Sequence, residues 1–199
     1  MPSRALLNLE TASGWKVIKD LNTKELGSGG TFCTRWLAQS KEGKVGFMKA
    51  MDLSKAMPDL NRVQSLVNEY LFEREILNRC KCLNMTKIVT PLDAGEIEVP
   101  QFPAPFNTVY YLIFEKAESD LREQYLDDLN HTSWVSAFRT LHHVAIGAHQ
   151  LQKAQIAHQD IKPSNVLCFK RESKISDLGR VTDAEGLSPF SKLKFTGDR

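Results

Sequence analysis

Two hydrophobic periods alternate along the chain and divide it. Val45, Phe47, Lys49 and Met51 recur at every second position, the spacing of a strand that turns one face to a core. Residues 109–115 form a second strand candidate, and residues 15–18, 36–38 and 88–89 are shorter ones. Over 61–80 the spacing changes: Val63, Leu66, Val67, Tyr70, Leu71, Ile76 and Leu77 fall three and four residues apart, which predicts an amphipathic helix. Residues 133–155 predict the longest helix, with Val135, Phe138, Leu141, Ile146 and Leu151 as its core positions. Lys41-Glu42-Gly43 reads as a turn, and 99–106, with three prolines, as a loop.

The order is therefore a strand-rich half that holds one helix, followed by a helix-rich half, which predicts an α+β fold. Residues 1–22 read as a leader with a candidate first strand, 23–117 as a β-rich lobe, and 118–199 as an incomplete helical lobe.

Composition narrows the function classes. Of 199 residues 42% are hydrophobic and 25% charged, as in ordinary globular domains. A net charge of +2, from 26 basic and 24 acidic residues, gives no reason to expect nucleic acid or an anionic membrane as partner. The best apolar run, 109–114, is far too short for a membrane span, and the first ten residues lack the apolar stretch of a signal peptide. Cys80 and Cys82 are spaced C-x-C without a second pair or a nearby His, so these thiols and those of Cys33 and Cys168 read as reduced side chains and not as a metal site. A cytoplasmic protein is expected.

The chemistry lies in five short patterns. The strongest is His158-Gln159-Asp160-Ile161-Lys162-Pro163-Ser164-Asn165. Asp160 supplies a carboxylate able to accept a proton, Lys162 a cation, and Asn165 an amide oxygen suited to a hard metal ion. Twelve residues after Asn165 comes Asp177, within Ile175-Ser176-Asp177-Leu178-Gly179. Lys49 stands on the strand 45–51, and Glu73 on the first helix, with Glu69 one turn earlier. A glycine cluster, Leu26-Gly27-Ser28-Gly29-Gly30-Thr31-Phe32-Cys33, precedes Lys49, and Phe114-Glu115-Lys116-Ala117 ends the strand 109–115.

In this order and at these separations, the set resembles the catalytic domain of eukaryotic-type protein kinases over about residues 15–199. The resemblance implies a kinase-like α+β fold and transfer of the γ-phosphate of ATP, with Mg²⁺, to a hydroxyl of a protein substrate. It assigns Asp160 as the base and Lys162 as the stabiliser of phosphoryl charge. Asn165 and Asp177 become the metal ligands. ATP is bound by Leu26, Gly27, Ser28, Gly29 and Gly30, by Lys49 with its partner Glu73, and by Glu115, Ala117 and Asp120, with Phe114 at the back of the adenine pocket. Gly179 is expected to supply a sharp turn. The Asp-x-Lys form of Asp160–Lys162 resembles Ser/Thr kinases more than Tyr kinases.

Four departures from the family pattern raise alternatives. The third glycine of the loop is replaced by Phe32 or Cys33, and Phe47 stands where a small residue is usual. Gln159 replaces an Arg that normally grips a phosphate on the activation segment, so activity is expected not to depend on phosphates at Ser188, Ser191 or Thr196. The helices that follow the activation segment in kinases are missing, so the chain is expected to be a fragment of a longer protein or the product of a truncated open reading frame. A pseudokinase or scaffold that binds nucleotide without turnover is the main alternative. A small-molecule phosphotransferase fits less well, because Lys162-Pro163 occupies the place of its second His.

Overall fold

The computed structural model describes residues 1–22, 33–51, 53, 56, 59–103, 107–127 and 133–183. The strands are β1 (Lys16–Asp20), β2 (Cys33–Gln39), β3 (Val45–Met51), β4 (Pro91–Glu98), β5 (Thr108–Glu115), β6 (Ser119–Asp120), β7 (Ile156–Ala157), β8 (Val166–Cys168), β9 (Ser173–Ile175) and β10 (Thr182–Asp183). The helices are α1 (Leu60–Cys82), α2 (Leu121–Asp127) and α3 (Trp134–Lys153). They build two compact units, Met1–Val67 with Thr90–Lys116 and Asn68–Val89 with Ala117–Arg199, so that α1 is shared between them. Among the described residues no helix is long and apolar enough to cross a membrane.

The first unit is an antiparallel sheet of order β1-β2-β3-β5-β4, with β3 at its centre. Alternation on β3 buries Gly46, Met48 and Ala50 on one face and leaves Val45, Phe47, Lys49 and Met51 half-buried on the other. The buried face joins Trp36, Ala38, Ile97, Val99, Val109, Tyr111 and Ile113 in one apolar core. The stretch read as a leader completes that core: Leu6 and Val17 are 0% exposed and Trp15 is buried beside them. Backbone chemistry pins it there, because the Ser3 carbonyl accepts the Thr34 hydroxyl at 2.8 Å and the Trp36 indole N–H at 3.1 Å. The turn at 11–14 is tied to β4 and β5, since Ser13 Oγ and Tyr111 OH both donate to Asp93 Oδ2.

Strand β4 is not signalled by its sequence. The hydrophobic period assigns no element to 91–98, where Pro91, Asp93 and Gly95 are residues that strands disfavour, yet the segment pairs with β5 from Pro91↔Phe114 to Glu98↔Thr108, with a bulge between Pro91 and Asp93. A bulge next to the first strand residue is where a proline is tolerated. Conversely, Ile88–Val89 is no strand of its own. Ile88 makes an isolated parallel bridge to Ile175, flanked by hydrogen bonds from Val89 N to Ile175 O and from Ile175 N to Lys87 O, each 2.9 Å.

In the second unit each long helix ends on a left-handed residue. Asn84 (φ 52) closes α1: its N–H reaches Lys81 O at 3.0 Å, and the Met85 N–H reaches Cys80 O at 3.1 Å. This pair of bonds satisfies carbonyls that the helix leaves open. Gln155 (φ 59) follows α3 in the same way, and the Ser133 hydroxyl caps the start of α3 through Val135 N. The core positions expected on α3 need correction. Leu151 is buried and Ile146 half-buried, but Val135, Phe138 and Leu141 are more than 60% exposed; Thr140 and Gly147 are buried in their stead. Close approach selects this face. A Cβ on Gly147 would stand 2.8 Å from Lys87 O and 2.9 Å from Ile175 Cδ1, and Thr140 Oγ1 meets Ser173 Oγ at 3.2 Å.

Truncating Leu6→Ala should cost about 2–5 kcal/mol, as for a leucine in a packed core. Urea denaturation reads this as a lower midpoint at unchanged slope; a loss below about 0.5 kcal/mol would place Leu6 outside the core. In the same assay Gly147→Ala should cost about 1–3 kcal/mol by overpacking.

Candidate active site

The loop 158–165 runs from β7 to β8 and is held by its own side chains. His158 is buried and uses both ring nitrogens. The Asp160 N–H points at Nδ1 at 3.3 Å, so Nδ1 accepts; Nε2 then carries the hydrogen and donates to Ser176 O at 3.0 Å. Pro163 opens a short 3-10 turn, Pro163–Asn165, which Asn165 N closes onto Lys162 O at 2.9 Å. The Asn165 carbonyl accepts both Ser176 N–H at 2.8 Å and Ser176 Oγ at 3.0 Å. The sequence carries no signal for Ser176, although it is the residue through which this loop is joined to Asp177.

Asp160 is the focus of the loop. Its Oδ2 lies 2.7 Å from Lys162 Nζ and 3.1 Å from Asn165 Nδ2, which also donates to the Asp160 carbonyl at 2.9 Å. Partial burial pushes the Asp160 carboxyl up, but the hydrogen bond and charge of Lys162, the Asn165 amide and the Arg180 guanidinium together outweigh it, and the group sits below its ordinary value. It is an ionised carboxylate at neutral pH. Arg180 is a contributor that no motif indicated.

Asp177 is exposed and left-handed, at φ 61 and ψ 66, just ahead of the 3-10 turn Leu178–Arg180. The expected sharp turn at Gly179 is therefore made two residues earlier, by an Asp, a residue type that tolerates this region. Gly179 itself has no positive φ. A Cβ there would stand at ordinary van der Waals distance from Glu73 Oε2 (3.5 Å) and Asp177 Oδ1 (3.8 Å), so two carboxylates flank the position. Glu73 is buried, Glu69 half-buried and Glu75 exposed. Among the described residues no three His, Cys, Asp or Glu side chains cluster around a point where a metal would sit. The donors present, the Asp177 carboxylate and the Asn165 amide oxygen, are hard oxygen ligands. They fit a Mg²⁺ that takes most of its remaining ligands from water and phosphate.

Other sequence-predicted residues are distributed as follows. Lys49 belongs to the first unit, half-buried on β3 opposite Arg35 of β2 and Leu112 of β5, whereas Glu73 belongs to the second. Phe47 pairs across the sheet with Phe114. Glu115 ends β5, and its Oε1 accepts Thr90 N–H at 2.7 Å while its own N–H reaches Thr90 O at 3.2 Å. Its side chain is thereby committed to the start of β4. Ala117 is half-buried in the second unit. Asp120 precedes α2, and its Oδ1 accepts Glu123 N–H at 2.9 Å, the bond of a helix N-cap. Leu26, Gly27, Ser28, Gly29 and Gly30 lie outside the described residues, as do Ser188, Ser191 and Thr196.

The family model for the protein kinase domain matches residues 21–198. No curated protein matches the sequence.

Replacing Lys162→Ala removes the strongest influence that lowers Asp160, so its carboxyl should titrate at higher pH than in the parent. Carbon-detected NMR of the side chain measures this, and an unmoved titration would refute the charge account. A depressed folded-state carboxyl stabilises above its unfolded value of about 3.9 and loses that contribution as pH falls through the lower folded one. The acid limb of a stability profile should therefore lie at higher pH in Lys162→Ala.

Proposed function

The chain belongs to the protein kinase domain family, and from that premise we propose that it transfers the γ-phosphate of ATP to Ser or Thr hydroxyls of a protein substrate. The observation that carries this reading is the Asp160 carboxylate, ionised and held at once by Lys162 Nζ and Asn165 Nδ2 within one loop.

In the proposed reaction the substrate hydroxyl oxygen forms a bond to the γ-phosphorus while the bond from that phosphorus to the β,γ-bridging oxygen breaks, and ADP leaves with the electron pair. The hydroxyl proton passes to Asp160. A carboxylate of low basicity suffices, because the attacking oxygen becomes far more acidic as its bond to phosphorus forms. Lys162 is a cation that can follow the charge onto the transferred group. Bound Mg²⁺ would neutralise phosphate charge; Asp177 and Asn165 offer the oxygens to hold it. Lys49 would meet the α- and β-phosphates, as the resemblance implies. Lys162 two residues after Asp160 supports Ser/Thr rather than Tyr as acceptor.

A scaffold that binds nucleotide without turnover is favoured by one observation, the Phe47 ring on the same strand face as Lys49. The two readings separate in one assay. Labelled γ-phosphate should pass from Mg-ATP to a generic protein substrate, appear on phosphoserine or phosphothreonine after acid hydrolysis, and fall by about 10²–10⁴-fold in Asp160→Asn. Nucleotide binding with no transfer by the parent would establish the scaffold, and label on phosphotyrosine would overturn the acceptor class.

A further inference from the structure

Gln159, the neighbour of Asp160, is exposed, yet its side chain has a specific partner: Nε2 donates to Thr182 Oγ1 at 3.0 Å. Its backbone is left-handed, at φ 66, an unfavourable state for a residue with a Cβ and a long side chain. Thr182 opens β10, the last described strand. Among the described residues that strand meets β7 over two pairs, Thr182↔Ala157 and Asp183↔Ile156. Val181, just before it, is fully buried, and its N–H reaches Leu178 O at 3.4 Å. The Gln159–Thr182 bond therefore joins the loop that carries Asp160 to the segment that follows Asp177, across 23 residues.

We propose that Gln159 is a positioning residue, a neutral latch that fixes β10 against β7 and with it the approach to Asp160. The claim of a catalytic consequence rests on the function proposed above; the latch itself does not. An amide donating to a hydroxyl carries no net charge. Its strength is therefore nearly independent of salt and of pH near neutrality, unlike a phosphate gripped by a guanidinium. The left-handed backbone directs the side chain of residue 159 towards Thr182, and the hydrogen bond offsets part of the conformational penalty.

Amide hydrogen exchange, resolved by NMR on the complete chain, tests the latch without reference to activity. In Thr182→Val the β7 and β10 amides should exchange about three- to tenfold faster than in the parent, with β8 and β9 amides unchanged. Gln159→Gly should do the same, even though glycine relieves the left-handed backbone. The double variant should be no faster than either single one, and Thr182→Ser, which restores the hydroxyl, should match the parent. The proposal is overturned if Gln159→Gly exchanges at or below the parent rate, if the two effects add in full, or if Thr182→Ser is as fast as Thr182→Val. In phosphoryl transfer, kcat should fall about three- to tenfold in Thr182→Val and recover in Thr182→Ser, with KM for ATP within twofold. A parent that transfers no phosphate defeats the proposed function and leaves the exchange rates to decide the latch. A parent that transfers phosphate while Thr182→Val exchanges normally defeats the latch alone.

Discussion

One imidazole holds the candidate site in register. His158 accepts the Asp160 N–H on one nitrogen and donates to the Ser176 carbonyl with the other, from a position closed to solvent. Two segments separated by a β-hairpin thus share a rigid, planar connector. The doubly accepting carbonyl of Asn165 repeats the tie from the other side through Ser176. With the backbone fixed at both ends, the carboxylate of Asp160 and the turn at Asp177 lose most of their freedom before any substrate arrives, which is what preorganised chemistry requires.

The parts of this arrangement that were legible in the sequence are those in which spacing is itself the physics. Asp160, Lys162 and Asn165 stand two and five residues apart because one short turn must bring three side chains together, and the 3-10 turn begun by Pro163 does so. Strands β3 and β5 were equally plain, since a central strand has one face that must be apolar. What the letters did not show are contacts chosen by smallness or by backbone. The packing face of α3 is marked by Gly147 and Thr140 and not by its bulky residues, because the Lys87 carbonyl approaches too closely for a side chain. Strand β4 hides behind Pro91 and Gly95, because its neighbour β5 supplies the order. Ser3 holds Thr34 and Trp36 through a main-chain oxygen that any residue would offer.

Left-handed residues mark the points where the second unit changes direction. Asn84 and Gln155 close helices, where the conformation frees main-chain donors to meet stranded carbonyls. Gln159 and Asp177 do something different, since both sit within the candidate site. Unfavourable backbone at such places survives only when the surroundings over-determine it. Here the surroundings can be named: His158 beside Gln159, Ser176 beside Asp177, and Thr182 at the end of the Gln159 side chain.

The docking of residues 1–17 onto the sheet also bears on how the chain is made. Leu6 leaves the ribosome well before its partners, because the core that encloses it includes Tyr111 and Ile113, more than a hundred residues downstream. At a synthesis rate of about 5–20 residues per second, this apolar segment waits roughly 5–20 seconds for its site to exist. During that interval Leu6, Trp15 and Val17 have no native partners among the residues of β5, and they are natural clients for a chaperone at the exit tunnel. The last strand to reach the sheet, not the segment that carries Leu6, therefore sets when the first unit can close.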